Sequence, residues 1–262
     1  MDYDLPAEIR VEAEGPVRVV RLARPDQLNA INEELHLGLT QLFPQLSADP
    51  DARVAVITGE GRAFSAGGDF EFLDRMANDR ELRRRVIAEG RELVLNMLRC
   101  RLPVVAAVNG AAVGLGCSII ALSDVVYLAE SAYLSDPHVT VGLVAADGGP
   151  LSWPLHTSLL LAKEYAFTGD RISAARAAEI GLANHVVPDD EVMTAALATA
   201  HKIAALPRQA VEATKRVLNL HAERAVLATI DFAMAAETES FDTAEFRQNI
   251  NRFLARSPVT GR

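Results

Sequence analysis

Short apolar runs separated by turns organise the first half of the chain. Residues Ile9–Glu14 alternate between apolar and polar side chains, Gly15 and Pro16 can form a turn, and Val17–Leu22 is rich in β-branched residues. This order predicts a β-hairpin. Three later runs are almost continuously apolar, which is typical of strands buried on both faces of a mostly parallel sheet. They are residues 54–58, Val104–Val108 and Val125–Ala129.

Helical spacing of apolar residues separates these strands. Asn32, followed by two glutamates, predicts a helix start, and the apolar residues after it recur at helical intervals. They are Leu35, Leu39, Leu42, Phe43 and Leu46. A second set, from Leu82 to Met97, predicts a long helix between the second and third core strands, and Pro103 stops it. Strands that alternate with helices in this way predict an α/β fold.

The character of the chain changes near Pro188. The acidic residues 189–191 favour a helix start, because negative charge is stabilised at a helix N-terminus. Pro207 fits the first turn of another helix, and an alanine-rich helical pattern continues almost to Phe253. We therefore predict a core over residues 1–188 and an all-helical region over residues 189–262, whose apolar face is buried on the core or on a neighbouring subunit.

Composition and charge narrow the functional classes. The 262 residues are 50% hydrophobic, which suits a globular α/β unit with a helical appendage, and the net charge is −9. An acidic protein repels nucleic acid, so RNA or DNA binding is not expected. Two cysteines are too few for a disulfide framework. Because no apolar stretch is long enough to span a bilayer and no secretion signal is recognisable, we expect a cytoplasmic protein without a membrane partner.

Two glycine-bearing loops are the first candidates for chemistry. Residues 63–69 and residues 109–117 each lie between a predicted strand and a predicted helix. Such loops leave free N–H groups where negative charge is favoured, and two of them together can bind a carbonyl oxygen that becomes an oxyanion. The alternative is that the glycines only make tight turns. Neither loop has the spacing of a phosphate-binding or dinucleotide-binding motif, so no nucleotide cofactor is predicted.

Four segments in order resemble the crotonase (enoyl-CoA hydratase/isomerase) superfamily. Residues 24–31 resemble its RPxxxNAL segment, residues 63–69 its FxAGxD loop and residues 108–117 its VNGxAxGxGC loop. Residues 168–188 resemble its LTGDRIxAxxAxxxGLVxxVVP stretch. The resemblance implies a spiral of ββα units with a C-terminal helical trimerisation region, assembled as a homotrimer or a dimer of trimers.

The same resemblance implies a substrate and part of a site. Family members act on CoA thioesters, so CoA would arrive as part of an acyl-CoA substrate, and no separate cofactor is expected. The backbone N–H groups of Ala66 and Leu115 would form the oxyanion site. Residues near the CoA moiety would come from the first segment and both loops, with Arg256 reaching a CoA phosphate. Those residues are Gln27, Leu28, Ala30, Ser65, Ala66, Gly67, Gly68 and Gly114.

Two positions depart from the hydratase pattern. Hydratases of the family carry glutamates where this chain has Ser118 and His138. Serine is a poor base at neutral pH, whereas histidine titrates near neutrality and a carboxylate such as Asp147 can orient it. This stretch resembles 6-oxocamphor hydrolase, a β-diketone hydrolase of the superfamily, in which the matching histidine and aspartate activate water. Glu237 falls where that enzyme has a functional glutamate. Another active-site histidine of that enzyme has no counterpart near Leu115, which counts against the same diketone substrate.

Three functions remain open from the sequence. The first is an enzyme acting on an acyl-CoA thioester, with His138 oriented by Asp147 as its acid–base group. Its reaction would be isomerisation, hydrolysis, C–C cleavage or residual hydration. The second is a β-diketone hydrolase that does not need CoA, and the third is a catalytically silent CoA-binding subunit, in agreement with the missing carboxylates. Other histidines have no metal-ligand spacing, so no metal is expected.

Overall fold

The computed structural model describes residues 2–256, without the side chain of Arg256. The predicted contact of that side chain with a CoA phosphate therefore lies outside the described part. Within the described residues, ten strands form two sheets. The strands are β1 Ile9–Glu14, β2 Val17–Leu22, β3 Val54–Gly59, β4 Ala63–Ser65, β5 Val104–Val108, β6 Ala111–Val113, β7 Val125–Ala129, β8 Tyr133–Ser135, β9 Ile172–Ser173 and β10 His185–Val187.

The larger sheet contains the strands that the apolar runs predict. Its order is β1-β2-β3-β5-β7-β10. Strands β1 and β2 form the predicted antiparallel hairpin, and every other neighbouring pair is parallel. Strands β3 and β5 are buried along their whole length, and this explains their continuous apolar runs, because both faces of the strand are covered. The predicted α/β fold is thus confirmed.

Helices cover the sheets along the whole chain. Twelve α-helices lie in the described residues, and none of those is both long and apolar enough to cross a membrane. They are α1 Glu33–Ala48, α2 Phe70–Asn78, α3 Arg80–Arg99, α4 Leu115–Ala121, α5 His138–Val141, α6 Gly149–Ser152, α7 Leu159–Thr168, α8 Ala174–Glu179, α9 Val192–Ala204, α10 Arg208–Leu227, α11 Ile230–Ser240 and α12 Ala244–Arg256.

The predicted repeat of two strands and a helix occurs in three copies. It is formed by β3, β4 and α2, by β5, β6 and α4, and by β7, β8 and α5. The second strand of each repeat joins a smaller sheet of order β4-β6-β8-β9, in which β4, β6 and β8 run parallel. Since parallel strands end at the same edge of a sheet, the loops that follow β4, β6 and β8 meet there, where α/β proteins bind ligands.

Capping determines where the two long helices of the core begin. The Asn32 side chain accepts the Leu35 N–H at 3.0 Å and caps α1, as predicted. Asp79 caps α3 in the same way. Helix α3 ends at Arg99, before Pro103 is reached. The apolar faces of α1 and α3 are buried, so the helical spacing in the sequence identified them correctly.

The C-terminal helices pack on this core. Helix α9 buries Val192 and Ala196 and contacts β3, β5 and β7. Helix α10 is held by Lys215, whose ammonium lies 2.6 Å from Asp124 and donates to the Leu102 carbonyl at 2.7 Å. Helices α10 and α11 contact α3, and α12 contacts α2. The predicted helical tail is confirmed, while its division from the core at residue 188 and its role in trimerisation stay predictions.

Candidate active site

A cavity of about 300 Å³ opens at the edge where the strand-following loops meet. Its polar wall comes from both glycine-bearing loops and from the segment after β8. Its other wall is mostly apolar and comes from α1, α2, α3 and the C-terminal helices, with Phe70, Phe72, Leu73, Met76, Val86 and Met234. A concave, mostly apolar space with a few polar groups is the usual form of a small-molecule site.

Close backbone contact holds the two loops together. Gly67 has a φ of 87°, and a Cβ there would lie 3.1 Å from the Val113 carbonyl oxygen. Gly114 has a φ of 53°, and its Cβ would lie 3.7 Å from the Gly67 Cα. Both positions favour glycine, because an L side chain is strained at such φ values, and at Gly67 a Cβ would also be too close to the Val113 carbonyl. The predicted meeting of the two loops is confirmed.

The predicted oxyanion donor Ala66 needs a correction. Its N–H already donates to the Leu28 carbonyl at 2.9 Å, so it is not available to a substrate. The loop then forms a parallel bridge in which Ile31 donates to Gly67 and Asp69 donates to Ile31. The N–H between them, on Gly68, has no acceptor among the described residues. Because Gly68 lines the cavity, it is the donor that this loop offers.

The second predicted donor is available. Leu115 is the first residue of α4, and its N–H is bonded to no acceptor within residues 2–256. The N–H of Gly114 is used by the Ser135 carbonyl, at 3.0 Å. Leu115 lines the same cavity as Gly68, and the first amides of a helix favour negative charge. The structure thus presents two unpaired N–H groups from two loops to one space.

The residues predicted to contact CoA divide into two groups. Ala66, Gly67, Gly68 and Gly114 line the cavity. The remaining four lie outside its lining and are Gln27, Leu28, Ala30 and Ser65.

Ser65 is fully buried, and its hydroxyl is engaged within the protein. It donates to the Asn29 carbonyl at 2.8 Å and accepts the Gly67 N–H at 3.2 Å. This side chain shapes the loop, because its proton and one acceptor site are used within the protein. A role of Gln27, Leu28 and Ala30 at the CoA moiety stays a prediction.

His138 stands at the start of α5 and lines the cavity beside the second loop. Its Cε1 would lie 3.6 Å from a Cβ on Gly114. The predicted pairing with Asp147 is wrong, because Nδ1 forms its short hydrogen bond with Asp136 instead. Asp136 is 2% exposed, and its other oxygen accepts the Gly149 N–H at 2.8 Å. Nε2 has no partner among the described residues and is the nitrogen left for a substrate.

Three carboxyl groups set the charge of His138. Burial acts to lower its pKa, but the charge and hydrogen bond of Asp136, with the charges of Asp147 and Glu237, raise the pKa to about 10. Burial acts to raise the pKa of Asp136, and attraction to His138 outweighs it, so that this pKa is lowered. His138 and Asp136 therefore form a buried ion pair at neutral pH.

The pKa values of Asp147 and Glu237 are raised, in contrast to that of Asp136. Burial raises the pKa of Asp147, although His138 draws it down, and its Oδ1 lies 3.4 Å from the Ser118 hydroxyl. Burial and the charge of Asp147 raise the pKa of Glu237 to about 8. Glu237 lies on α11 and lines the same cavity as His138. The C-terminal region therefore contributes a carboxyl group to the site.

Two residues of the site, Asp136 and His36, were not predicted from the sequence. Asp136 lies two positions before His138, and this spacing was the available signal. His36 also lines the cavity, but it occurs within the helical pattern of α1, where nothing in the local sequence distinguishes it. No group of three or more potential metal ligands suited to an ion occurs in the described part of the chain. The arrangement offers oxyanion binding and proton transfer by an imidazole and carboxyl groups.

Comparisons with known proteins agree on one family. The family model for enoyl-CoA hydratase/isomerase matches residues 12–260. A short-chain-enoyl-CoA hydratase of Clostridium acetobutylicum is 31% identical over 256 residues, which cover 96% of this chain and 96% of that protein. A probable enoyl-CoA hydratase of Rhodobacter capsulatus is 32% identical over 256 residues, which cover 97% and 98% of the two chains.

A solved structure leads to the same result. The crystal structure of an enoyl-CoA hydratase/isomerase from Mycobacterium paratuberculosis has a TM-score of 0.93 and 63% identity, and the match covers 95% of this chain and 100% of that chain. The fold and these relationships define an enzyme of the crotonase superfamily. The chain belongs to its enoyl-CoA hydratase/isomerase family. The superfamily resemblance is confirmed, while the resemblance to 6-oxocamphor hydrolase stays a prediction.

Proposed function

We propose that this enzyme acts on an acyl-CoA thioester through an enolate or a related oxyanion. The thioester oxygen would accept hydrogen bonds from the N–H groups of Gly68 and Leu115, while His138 exchanges a proton with the substrate. The observation that carries the proposal is that these two unpaired donors and this imidazole line one cavity. Donors held in place before charge develops lower the barrier, since they need no reorganisation during the reaction. The names of the relatives support a CoA thioester.

The charges suggest separate acid and base roles. Because the pKa of His138 is about 10, its ring begins protonated, and Nε2 is the proton donor. The base is the carboxylate of Asp147 or Glu237; burial raises the pKa of both groups, and the charge of Asp147 raises that of Glu237 further. A pKa of about 8 for Glu237 lies near neutral pH, where general acid–base catalysis is most effective. Enolate formation is common to isomerisation, hydrolysis of C–C bonds and hydration.

Ordinary hydration of a 2-enoyl-CoA is disfavoured by Ser118. Its hydroxyl lies 3.2 Å from the Gly114 carbonyl and 3.4 Å from Asp147, so its proton is directed at acceptors of the protein. Because the pKa of a serine hydroxyl is far above neutral, Ser118 cannot replace a glutamate carboxylate as the base that activates water. We therefore propose proton transfer at a carbon next to the thioester as the central step.

Deuterium exchange at the α-carbon of hexanoyl-CoA in D₂O, followed by NMR, tests this step directly. We expect exchange with the wild-type enzyme and a loss of about 100-fold or more with His138→Ala, because His138 delivers the deuteron to the enolate after the carboxylate has removed the α-proton. His201→Ala is the matched control, because His201 is 44% exposed and pairs with Glu14 away from the cavity. Exchange that persists in His138→Ala, or vigorous crotonyl-CoA hydration by that variant, would contradict the proposal.

A β-diketone hydrolase is the second candidate, and the position of Glu237 in the cavity favours it. In that reaction water adds to one carbonyl carbon, and the bond from this carbon to the central carbon breaks. The electron pair leaves as the enolate of the other ketone, which then takes a proton. Calorimetric titration with CoA and acetyl-CoA separates the candidates, because only the acyl-CoA enzyme binds them. Cleavage of nonane-2,4-dione without CoA binding would favour the hydrolase.

We further propose that the chain forms a homotrimer or a dimer of trimers. Large apolar side chains near α10 are unusually exposed, with 49% for Leu206, 61% for Val217 and 63% for Leu218. Apolar clusters on a surface mark contact with a partner. Light scattering after size-exclusion chromatography measures the assembly, and we expect Leu218→Glu to weaken it. A wild-type monomer at all concentrations would contradict this assignment.

A further inference from the structure

A second histidine reaches the active-site cavity from the apolar wall. His36 lies on α1, is 6% exposed and lines the cavity. Its Nδ1 lies 3.3 Å from Oε2 of Glu89 on α3, and its Nε2 has no partner among the described residues. Among the described residues, Nε1 of Trp153 is the only side-chain nitrogen or oxygen that is buried from solvent and also has no hydrogen-bond partner. Nε2 of His36 therefore reaches open space, and the space that His36 lines is the cavity.

The surroundings of Glu89 determine which ring nitrogen carries the proton. The other oxygen of Glu89 lies 3.8 Å from the Arg85 guanidinium, so the carboxylate has a cation beside it. A carboxylate only accepts hydrogen bonds, and Nδ1 of His36 must donate to it. In the neutral ring, Nε2 is then the acceptor. A neutral His36 thus presents a hydrogen-bond acceptor to the cavity.

The wall around this acceptor is mostly apolar, with Asp147 of the same cavity within electrostatic range of His36. A Cβ on Gly90 would lie 3.7 Å from Nε2 of His36 and 4.0 Å from Cε of Met234, so the absence of a side chain at Gly90 keeps the ring edge open. The Phe72 ring centroid lies 6.4 Å from that of His36. An acceptor on this mostly apolar wall is left unpaired once a ligand excludes water, unless the ligand supplies a donor.

We propose that His36 is a specificity-determining residue, whose Nε2 accepts a hydrogen bond from a hydroxyl group of the substrate at a distance from the reacting carbonyl. This inference rests on the proposed function, because Gly68 and Leu115 define where that carbonyl lies. Glu89 is a positioning residue, since it holds the ring and its proton. A site that hydrogen bonds a substrate hydroxyl discriminates against the analogue without it, because the buried partner is then left unpaired.

The test compares ligands that differ by one oxygen. Hexanoyl-CoA, its 4-, 5- and 6-hydroxy derivatives and 5-oxohexanoyl-CoA are titrated calorimetrically into the enzyme. We expect one hydroxy ester to bind about fivefold more tightly than hexanoyl-CoA, the effect of one hydrogen bond. His36→Phe should abolish this preference while hexanoyl-CoA still binds, and Glu89→Gln should reduce it. His201→Phe, which changes an exposed histidine away from the cavity, should retain it.

The outcomes separate this inference from the proposed function. Equal affinity for all esters, or a hydroxyl preference that survives in His36→Phe, would overturn the role of His36. A preference for the ketone would overturn it as well, because Nε2 would then have to donate. If no ester binds, the acyl-CoA proposal fails, and the comparison moves to nonane-2,4-dione and 8-hydroxynonane-2,4-dione. A hydroxyl preference there that His36→Phe removes sustains the inference, and its absence overturns it.

Discussion

The pKa of Glu237 leads to a quantitative prediction about stability. Glu237 is held in the cavity by α11, where burial and the charge of Asp147 raise its pKa from 4.5 to about 8. The folded protein therefore binds more protons than the unfolded chain between pH 4.5 and pH 8. Stability then falls as the pH rises through this window, because the folded state must ionise a carboxyl group that the unfolded state ionises more easily. Glu237→Gln removes this penalty.

The size of the effect follows from the pKa difference. A pKa about 3.5 above the ordinary value corresponds to about 5 kcal/mol at high pH, since each pH unit is worth about 1.4 kcal/mol. Part of this destabilisation is already present at pH 6. From pH 6 to pH 9, we expect the free energy of unfolding of Glu237→Gln, relative to that of the wild type, to increase by about 3 kcal/mol.

Urea denaturation at several pH values from 6 to 9 measures this difference. The raised pKa of His138 contributes its own loss of stability as the pH rises from 6.5 towards 10, so wild type and variant are compared at each pH. Glu239→Gln is the matched control, because Glu239 lies on the same helix and is exposed. If the free energies of unfolding of the wild type and Glu237→Gln changed with pH in the same way, the raised pKa of Glu237 would be wrong, since Glu237 would then be solvated like a surface carboxylate.

Three further predictions concern the loops and the tail. Leu115→Pro removes the N–H at the first residue of α4, where proline is tolerated. We expect about 100-fold slower α-carbon exchange for this variant, whereas Leu115→Ala, which keeps the N–H, should retain most activity. Gly67→Ala should lower the free energy of unfolding by more than Gly15→Ala, because both have positive φ but only Gly67 has a neighbour within 4 Å; equal losses in urea would contradict the close loop contact. Lys215→Met should destabilise by about 3 kcal/mol, because it leaves the half-buried Asp124 carboxylate without its counter-ion. Lys202→Met on the exposed side of α9 should cost little by the same measurement.

The fold could be predicted because its signals are local. The hairpin, the continuous apolar runs and the spacing from Leu35 to Leu46 each reflect burial within one element. Asn32 marked the start of α1 because capping needs only a side chain and an amide three residues away. The C-terminal helices were predicted for the same reason, since helical periodicity does not depend on what the helix contacts.

The site was predicted less completely. The motif-like loop 63–69 pointed to the correct place, but it did not distinguish the N–H of Ala66 from that of Gly68. Their difference arises from Leu28, whose carbonyl is brought to Ala66 by a turn in the preceding segment. The partner of His138 was also misjudged, because Asp136 and Asp147 are both near in sequence and only the backbone path after β8 selects one.

Local patterns and motifs along the chain were enough to predict the elements, the family and the two loops that meet. The folded structure was needed to show which amide is unpaired, which carboxylate bonds to Nδ1 of His138, and that His36 and Glu237 line one cavity. Those facts depend on contacts between residues far apart in the chain. Hydrogen bonding, burial and pKa are properties of such contacts, and no single segment of sequence contains them.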